Sequence, residues 1–531
     1  MKKKTEPTGA SNNKKTATAA TKTNTKAAKS KSANQTNAEK AENEQAQAAQ
    51  EGQVLEEQRN AAADESWLNK LRMLFFGQED YLERTVDCGI NVVVVASDAM
   101  SDSQKIAEYV LNPLVFCNAK KPKDVFSRLC SGSNAHESGS FSMVVSDYLN
   151  GYCIVFAGEK CFAVDARTTL GRSIAEPPTS MVMRGPREGF VEDVKVNVTL
   201  LKKRLKTECF KTVSVNVGQY TNTSVCVCYL EGIADKSVVD SVVQRLKNVK
   251  IDGVLDASYL ARYLDTNRTM LFRRVGMTEK PDVAVGKMLE GRIAVIADGS
   301  PMVLTLPYLY IEDLQSPGDY YENASMISLN RILRFISVLA SLLLPSLYVC
   351  LQMYNYQIIP LKFLITVLNA TEAIPFSPLV EMVLVIVIFD ILREANLRMP
   401  SAVGISLSLV GAIVLGDAAV KAGLIGAPAV MIGALSGIGL FTMPDNTLIL
   451  SLLRVVITLV GGLMGIFGVL LAMLTITVYL CSLQSYKTPF LAPYAPTVPH
   501  DKQDAVMETP LQNQVERPES IPNVNKVRRG K

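Results

Sequence analysis

The chain has 531 residues, of which 48% are hydrophobic, and a formal net charge of +4 at pH 7. This length exceeds what one hydrophobic core holds, so several domains are expected. The small charge and the single tryptophan exclude a basic, aromatic surface for nucleic acid. Ten cysteines without a CxxC pair, beside only two histidines, exclude a zinc site, and we predict that they are mostly buried free thiols.

Residues 1–65 are rich in Lys, Ala, Thr and Gln and contain almost no large apolar side chain. Such a segment cannot bury enough apolar surface to offset the entropy lost on ordering, so we predict a disordered tail. Its lysines fit either contact with anionic lipid headgroups or a solubilising role. No apolar segment follows the charged N-terminus, so no secretory signal peptide is predicted.

Residues 66–175 are predicted to form a first α/β subdomain. A helix should begin near Trp67, where apolar residues recur on one helical face. Short apolar runs then alternate with helical patterns, which indicates helices packed on a sheet. The predicted strands are 91–97, 141–149 and 152–157, and the predicted helices are 101–111 and 121–130.

Residues 176–325 are predicted to form a second α/β subdomain. It should contain a helix with a basic face, a β-hairpin, a further helix and a pair of strands that turn at Asp298-Gly299-Ser300-Pro301. In chain order these predicted elements are 192–206, 212–217 with 224–230, 237–249 and 292–307.

Residues 326–486 predict a helical membrane domain with four to six spans. Its apolar segments are 332–351, 376–392, 401–420, 423–442 and 449–483. As one straight helix the last segment would reach about 52 Å, beyond the roughly 30 Å hydrocarbon core. It is either a long helix that projects from the bilayer or a tight hairpin broken at Gly461-Gly462.

The expected fold class is therefore an α/β soluble N-terminal region of two subdomains, followed by a polytopic α-helical membrane domain. Arginines that flank the first span and lie between the second and third predict a cytoplasmic N-terminal region. These are Arg331, Arg334, Arg393 and Arg398. Residues 487–531 are rich in proline and charge, and they are predicted to form a flexible C-terminal tail.

Ionisable residues at membrane depth are the strongest functional signal, since placing a charge there costs at least ~2.5 kcal/mol. Glu381, Asp390 and Glu394 are the candidate pore or ion-contacting residues. Asp390 and Glu394 share a helix face, whereas Glu381 lies half a turn out of phase, so the helix breaks or one carboxylate pairs with a neighbour. Three further residues lie at similar depth: Asp417, Lys421 and Arg454. Asp417 and Lys421 are spaced to neutralise each other.

One loop of the soluble region combines glycine with two arginines just before a predicted helix. Arg184, Gly185, Pro186, Arg187 and Glu188 form a candidate structural junction. Backbone N–H groups at a helix start can bind anions, but the Walker lysine and its spacing are missing, so a nucleotide site is not expected. The chain has no nucleophile elbow, metal-helix motif or credible Ser–His–Asp arrangement, so neither an enzyme nor a cofactor is predicted.

Several separated motifs between residues 66 and 496 resemble the spore germinant receptor A-subunit family, the GerA family. They are Met183–Phe190, Thr278–Asp282, Leu289–Val295, Asp298–Pro301, Gln315–Tyr321, Ile374–Phe376, Leu392–Ala395, Ser482–Tyr486 and Leu491–Pro496. The family often carries Glu where this chain has Ile386 and where it has Asp390. The predicted helix over 376–394 therefore carries fewer glutamates than the resemblance implies.

The resemblance implies a nutrient-receptor subunit in the spore inner membrane, with its N-terminal region on the cytoplasmic, spore-core side. It implies partnership with a multi-spanning B-type subunit and a C-type lipoprotein subunit, with no nucleic acid. It further implies a homo-oligomer, a pentamer in the family, that forms a ligand-gated ion channel in the lipid bilayer. The size of the soluble region favours a non-conducting scaffold as the alternative. A secondary transporter is a weaker one, because no inverted repeat is visible.

Overall fold

The computed structural model describes residues 66–528, except 118, 120, 131–133, 159, 169–176, 178–181, 183, 266–270, 373 and 399–412. The predicted disordered tail, and residues 401–412 of the predicted span 401–420, lie outside the described residues. The chain forms two compact units that divide after Phe76. In the N-terminal unit, the described residues form helix α1 (Trp67–Leu74), where a helix was predicted.

The second unit begins with the first α/β subdomain, whose centre is a five-stranded sheet. Its strands are β1 (Tyr81–Asp87), β2 (Asn91–Ser97), β3 (Ala135–Glu137), β4 (Cys153–Ala157) and β5 (Lys160–Val164). The strand order is β1-β2-β4-β5-β3, and every neighbouring pair is antiparallel. The helices are α2 (Ser103–Ile106) and α3 (Asn112–Val115), joined by a π-helical turn (Ala107–Leu111), then α4 (Pro122–Cys130) and α5 (Phe141–Leu149).

The prediction of a strand over 141–149 is wrong, because this segment is helix α5. Its apolar run suggested a strand, but two features favour a helix. The hydroxyl of Ser140 accepts a hydrogen bond from the backbone N–H of Met143 at 3.3 Å, which caps the first turn. Val144 and Tyr148 are both buried and lie four residues apart, which is a helical spacing.

The second α/β subdomain repeats this sheet. Its strands are β6 (Phe210–Val217), β7 (Thr223–Leu230), β8 (Gly276–Thr278), β9 (Ile293–Ala297) and β10 (Val303–Leu306), in the antiparallel order β6-β7-β9-β10-β8. Its helices are α6 (Val194–Arg204), α7 (Lys236–Lys247), α8 (Ala257–Leu264) and α9 (Pro281–Leu289). The predicted hairpin and the predicted turn at Asp298–Pro301 are both confirmed.

Helices cover both faces of the second sheet, because successive side chains of a strand point to opposite sides. On β7, Val225 and Val227 pack into the core that contains α7 and α8. Cys226 and Cys228 face the other core, with residues of α6 and α9, and both are buried free thiols as predicted. Both faces of β7 are apolar, so the sequence of this strand shows no polar–apolar alternation. It therefore does not reveal which helices cover which face.

The basic face predicted for helix α6 lies against the first subdomain. Lys195 forms an ion pair with Asp98 at 2.7 Å, and Lys202 pairs with Asp80. These two ion pairs link α6 to the first subdomain, whereas Lys203 and Arg204 on the same helix bind Glu188. The predicted α/β fold class is confirmed for this part of the molecule.

The helical region (residues 324–482) follows. It contains α10 (Ala324–Met353), α11 (Leu361–Thr371), α12 (Pro378–Arg398), α13 (Ala419–Lys421) after a π-helical turn (Val414–Ala418), α14 (Ala427–Leu440) and α15 (Thr447–Ser482). Two helices in the described part of the chain, Ala324–Met353 and Pro444–Ser482, are long and apolar enough to cross a membrane. They agree with the predicted polytopic membrane domain.

Helix α15 folds back on itself as a hairpin. Gly465 has φ 66° and ψ −155°, outside the helical range. A Cβ on Gly468 would lie 2.7 Å from the carbonyl oxygen of Val460, whereas eight residues of straight helix cover about 12 Å. Leu453, near the start of α15, packs in the same apolar cluster as Tyr479, near its end. Of the two predicted alternatives the hairpin is therefore correct.

The break lies at Gly465 rather than at Gly461-Gly462, and the end of α10 satisfies the carbonyls that it leaves without helical partners. The thiol of Cys350 donates to the carbonyl of Gly461 at 3.2 Å. The hydroxyl of Tyr354 lies 2.9 Å from the carbonyl oxygen of Gly462. The position of the turn thus depends on donors from another helix, which the local sequence does not reveal.

The C-terminal segment returns to the second subdomain, where the sequence predicted a flexible tail. It begins with a short strand pair, β11 (Gln484–Ser485) and β12 (Thr488–Pro489). The hydroxyl of Tyr486 donates to the carbonyl of Leu264 at 2.8 Å. Farther along, the backbone N–H of Val524 donates to the carbonyl of Ile233 at 2.9 Å. Hydrogen bonds hold this segment together with apolar burial, since Phe490, Ala492 and Ile521 are each 1% exposed.

Candidate functional site

The predicted carboxylate Asp390 forms an ion pair inside the helical region. A guanidinium nitrogen of Arg454, which is fully buried, lies 3.0 Å from Asp390 Oδ1. The other carboxylate oxygen accepts a hydrogen bond from the hydroxyl of Ser451. Arg393, on the same helix as Asp390, adds a second guanidinium at 3.4 Å. The side chain of Asp390 remains one quarter exposed, whereas that of Arg454 is buried, so the ion pair is accessible only from the Asp390 side.

A chain of hydrogen bonds extends this pair across four helices. Arg454 donates to the hydroxyl of Ser436 at 3.1 Å, and Ser436 donates to the carbonyl of Ser341 at 2.7 Å. We call Ser341, Asp390, Ser436, Ser451 and Arg454 the Arg454 node. It joins α10, α12, α14 and α15. Because an unpaired charge in an apolar interior is costly, displacing any one of these helices must break or replace a bond of the node.

Glu381 is also buried, but it has a different partner. Its Oε1 accepts a hydrogen bond from the backbone N–H of Gly426 at 2.6 Å, at the start of α14. A carboxylate at a helix N-terminus is stabilised by the free N–H groups and the positive end of the helix dipole. Glu381 therefore has a sufficient structural role, as the acceptor that fixes the start of α14 to α12.

Glu394 is exposed and pairs with Arg398 at 2.7 Å, one turn farther along α12. The three predicted carboxylates are therefore not brought together: one caps α14, one belongs to the Arg454 node, and one lies in a surface pair. Asp417 and Lys421 form the expected pair at 2.7 Å. Helix α12 does not break between Glu381 and Asp390. Each of these two carboxylates instead pairs with a group on a neighbouring helix.

The predicted junction loop lies beside the segment that leads into α10. Arg184 forms an ion pair with Glu322 at 3.0 Å. Gly185 has φ 112°, and a Cβ there would lie 2.6 Å from the ring of Tyr321. Only glycine tolerates both this backbone conformation and this close approach. Glu188 in turn binds Arg204, at the end of α6, at 2.7 Å.

A buried lysine joins the same loop to helix α9. Lys280 has no exposed surface, and its ammonium donates to the carbonyl of Pro186 at 2.9 Å. Asp282 lies 3.6 Å from this ammonium and accepts a 2.6 Å hydrogen bond from the hydroxyl of Tyr321. Three motifs that are distant in sequence therefore meet at one place, directly before the first long apolar helix.

A second ion-pair network ties the C-terminal segment to the start of α10. Arg331 is fully buried, and it donates to Asp504 Oδ1 at 2.8 Å and to the carbonyl of Ala505 at 2.7 Å. Asp319 and Glu508 lie 3.4 and 3.9 Å from its guanidinium. Burial, and then the nearby charge of Asp504, raise the pKa of Glu508 to about 7, although Arg331 opposes the shift.

Comparison with known proteins identifies the family. Residues 69–520 match the family described as Bacillus/Clostridium GerA spore germination protein. The chain belongs to the GerA family. Spore germination protein KA of Bacillus subtilis (strain 168) is 32% identical over 469 residues, which are 87% of this chain and 85% of that protein. Spore germination protein A1 of the same organism is 30% identical over 430 residues, 80% of this chain and 88% of that protein.

Among solved structures, the N-terminal domain of the A subunit of the Bacillus megaterium spore germinant receptor GerK3 matches with a TM-score of 0.36 and 24% identity. The match covers 46% of this chain and 94% of that one. The sequence comparisons with the GerA family give this chain a role in spore germination and an association with the spore membrane. The family resemblance predicted from the motifs is thereby confirmed.

Sequence reasoning missed most partners of these sites in the GerA-family chain. Arg454 carried a signal, because it interrupts a long apolar run. Ser436 and Ser451 carried none, since small polar residues are ordinary in packed apolar helices. Asp504 and Glu508 lie in a segment predicted to be flexible, and nothing local links them to Arg331, more than 170 positions earlier.

Proposed function

We propose that this chain is the A-type subunit of a nutrient germinant receptor. In this proposal it oligomerises into a ligand-gated ion channel in the spore inner membrane, with both α/β subdomains on the cytoplasmic, spore-core side. A multi-spanning B-type subunit and a C-type lipoprotein complete the receptor. Membership in the GerA family supports the germination role, and the two long apolar helices support the membrane location.

The Arg454 node is the observation that carries the channel proposal. Asp390 keeps one quarter of its side chain exposed although Arg454 binds it from the buried side. A carboxylate in this position can face a water-filled lumen while its backbone stays packed in the bundle. In this proposal, opening moves α12 relative to α15 and so changes the ion pair that joins these two helices.

Ion flux through lipid vesicles tests this proposal. The full-length chain is reconstituted with its B-type and C-type partners, and nutrient-triggered flux of monovalent ions is recorded for wild type and Asp390→Asn. We expect flux to change by at least about tenfold, which corresponds to ~1.4 kcal/mol in the barrier. Glu394→Gln is the matched control on the same helix, since its exposed pair with Arg398 should contribute little.

A non-conducting scaffold remains the second candidate, and one observation favours it. In the chain as described, Asp390 and Glu381 already have partners, Arg454 and the N–H of Gly426. A subunit that only relays a conformational change would use these bonds for packing. Nutrient-triggered flux that is the same in wild type and Asp390→Asn would contradict a lumen at this position. Absence of flux with both partners and nutrient present would favour the scaffold.

A further inference from the structure

Helix α11 is too short to cross a bilayer. Its surface has an exposed apolar stripe, an exposed polar stripe and a buried face. Leu361, Ile365 and Leu368 are at least half exposed and recur at intervals of four and three residues, which places them on one face. A second exposed stripe, with the same spacing, is polar: Lys362, Thr366 and Asn369. Val367 is 1% exposed and marks the face that packs on the bundle.

Both ends of the α11 segment attach to the bundle at the same level. Before α11, Tyr354 bonds to the carbonyl of Gly462, and a Cβ on Gly462 would touch Leu379. After α11, Ile374 borders Gly426, which binds Glu381. Leu379 and Glu381 are two residues apart on α12, about 3 Å along its axis. The chain therefore leaves and re-enters the bundle within the first turn of α12.

This level is the end of the bundle opposite the α/β subdomains. The other end of the bundle is marked by Asn446, just before α15, whose side chain donates to Asp313 at 2.6 Å. From there the first arm of α15 runs to its turn at Gly465, where Tyr354 and Gly462 meet. A helix of 11 residues covers about 16 Å, half of the roughly 30 Å hydrocarbon core.

We propose that α11 is an interfacial helix that lies in the plane of the membrane, in the leaflet opposite the α/β subdomains. Its buried face packs on the bundle end, its apolar stripe inserts among lipid acyl chains at the headgroup boundary, and its polar stripe faces water. This division of surfaces is typical of helices that lie in an interface. Lys362 and Tyr356 beside it are residue types that anchor segments at this depth. The inference rests on the membrane location in the proposed function.

Depth-dependent fluorescence quenching tests this placement. The sole tryptophan is removed by Trp67→Phe, and single tryptophans are introduced by Ile365→Trp, Thr366→Trp or Leu474→Trp. Each full-length variant is reconstituted in phosphatidylcholine vesicles that carry bromine either near the headgroup end or near the methyl end of the acyl chains. Leu474 is a lipid-facing control, since it is exposed near the middle of the second arm of α15.

We expect the Ile365→Trp variant to lose most fluorescence with shallow bromines and the Leu474→Trp variant with deep bromines. The Thr366→Trp variant should respond little to either lipid and strongly to aqueous iodide. Strong quenching of the Ile365→Trp variant by deep bromines would overturn the in-plane placement. If only the Leu474→Trp variant is quenched, a partner or a second copy covers α11, which also overturns it. An unquenched Leu474→Trp variant would instead refute the membrane location itself.

Discussion

Both α/β subdomains contain the same five-stranded antiparallel sheet, with the strand order β1-β2-β4-β5-β3 in the first and β6-β7-β9-β10-β8 in the second. They differ in what is attached to them. The first is held to the second by side-chain bonds such as Lys195–Asp98. The second continues directly into α10 and binds the junction loop and the C-terminal segment. The same sheet topology thus occurs once in a subdomain held by side-chain contacts and once in a subdomain joined directly to the helical region.

This difference indicates that the second subdomain is the part that acts on the helical region. Lys280 ties α9 to the junction loop, and Arg331 ties the start of α10 to Asp504 in the C-terminal segment. The same segment also binds the turn before α7 through Ile233. A movement of the second sheet relative to α10 must therefore strain a buried ionic contact. The following predictions test this asymmetry.

The largest loss should follow Arg331→Met. The substitution leaves Asp504 without its buried cation, while Asp319 keeps only Arg334, so we expect the free energy of unfolding to fall by about 3–5 kcal/mol. Arg398→Met is the matched control, because that arginine is exposed and should cost at most about 1 kcal/mol. Thermal unfolding of the purified protein in detergent measures both. Equal losses of unfolding free energy in the two variants would contradict a larger stabilising contribution from the buried Arg331 contacts.

The next largest effect should follow Gly185→Ala. The new Cβ would meet the Tyr321 ring at 2.6 Å, in addition to the strain of positive φ, so we expect a loss of about 2–4 kcal/mol. Gly232→Ala isolates the backbone contribution, since Gly232 has φ 81° and open space around its Cβ position. It should cost about 1–2 kcal/mol. Denaturant unfolding that ranks the two variants in the reverse order would refute the packing argument.

A smaller difference should separate two lysines that each donate to a backbone carbonyl. Lys280 is fully buried and Lys280→Met leaves the partly buried carbonyl of Pro186 without its donor, which should cost about 1–3 kcal/mol. Lys105 donates to the carbonyl of Arg167 at 2.7 Å in the first subdomain, but this contact is exposed. Lys105→Met should therefore change the unfolding free energy by at most about 0.5 kcal/mol. Denaturant titration of both variants provides the comparison.

The most local effect should be a pH dependence of the contact between the C-terminal segment and α10. Because the pKa of Glu508 is raised from 4.5 to about 7, its stabilising contribution is complete below pH 4.5 and is lost as the pH rises through about 7. Asp504, Asp319 and Arg331 face this carboxyl group. Arg331 forms an ion pair with each of the two aspartates.

Limited proteolysis after Lys502 at pH 6 and pH 8 measures this effect. Cleavage should be faster at pH 8 in wild type, and the Glu508→Gln variant should lose that pH dependence after correction for the activity of the protease. A pH response that persists unchanged in the Glu508→Gln variant would assign it to another group.

The sequence predicted elements well where one local signal dominates. The valine run of β2 and the turn at Asp298–Pro301 are examples, because alternation and turn residues act over few positions. It failed for α5, where Ser140 caps a helix over an apolar run that resembles a strand. The break in α15 also lay beyond local reach, since donors from α10 help to set its position.

The candidate site divides in the same way. Asp390 was identified from the sequence because a charge in an apolar run is costly and therefore conspicuous. Its partner Arg454 lies 64 residues away, and Asp504, which binds Arg331, lies 173 residues farther along the chain than Arg331. Pairings at such separations follow from the packing of helices and of the C-terminal segment. No spacing rule connects these residues within one sequence.

The most direct test of the asymmetry is hydrogen–deuterium exchange of the full-length protein in lipid nanodiscs, with Arg331→Met compared against Arg398→Met. If the second subdomain and α10 move as one body through the Arg331 contacts, exchange in Arg331→Met should rise in residues 500–510, in the first turn of α10 and around Ile233. Strands β1–β5 should exchange as in wild type. An increase confined to residues 500–510, or an equal increase in both sheets, would contradict the account.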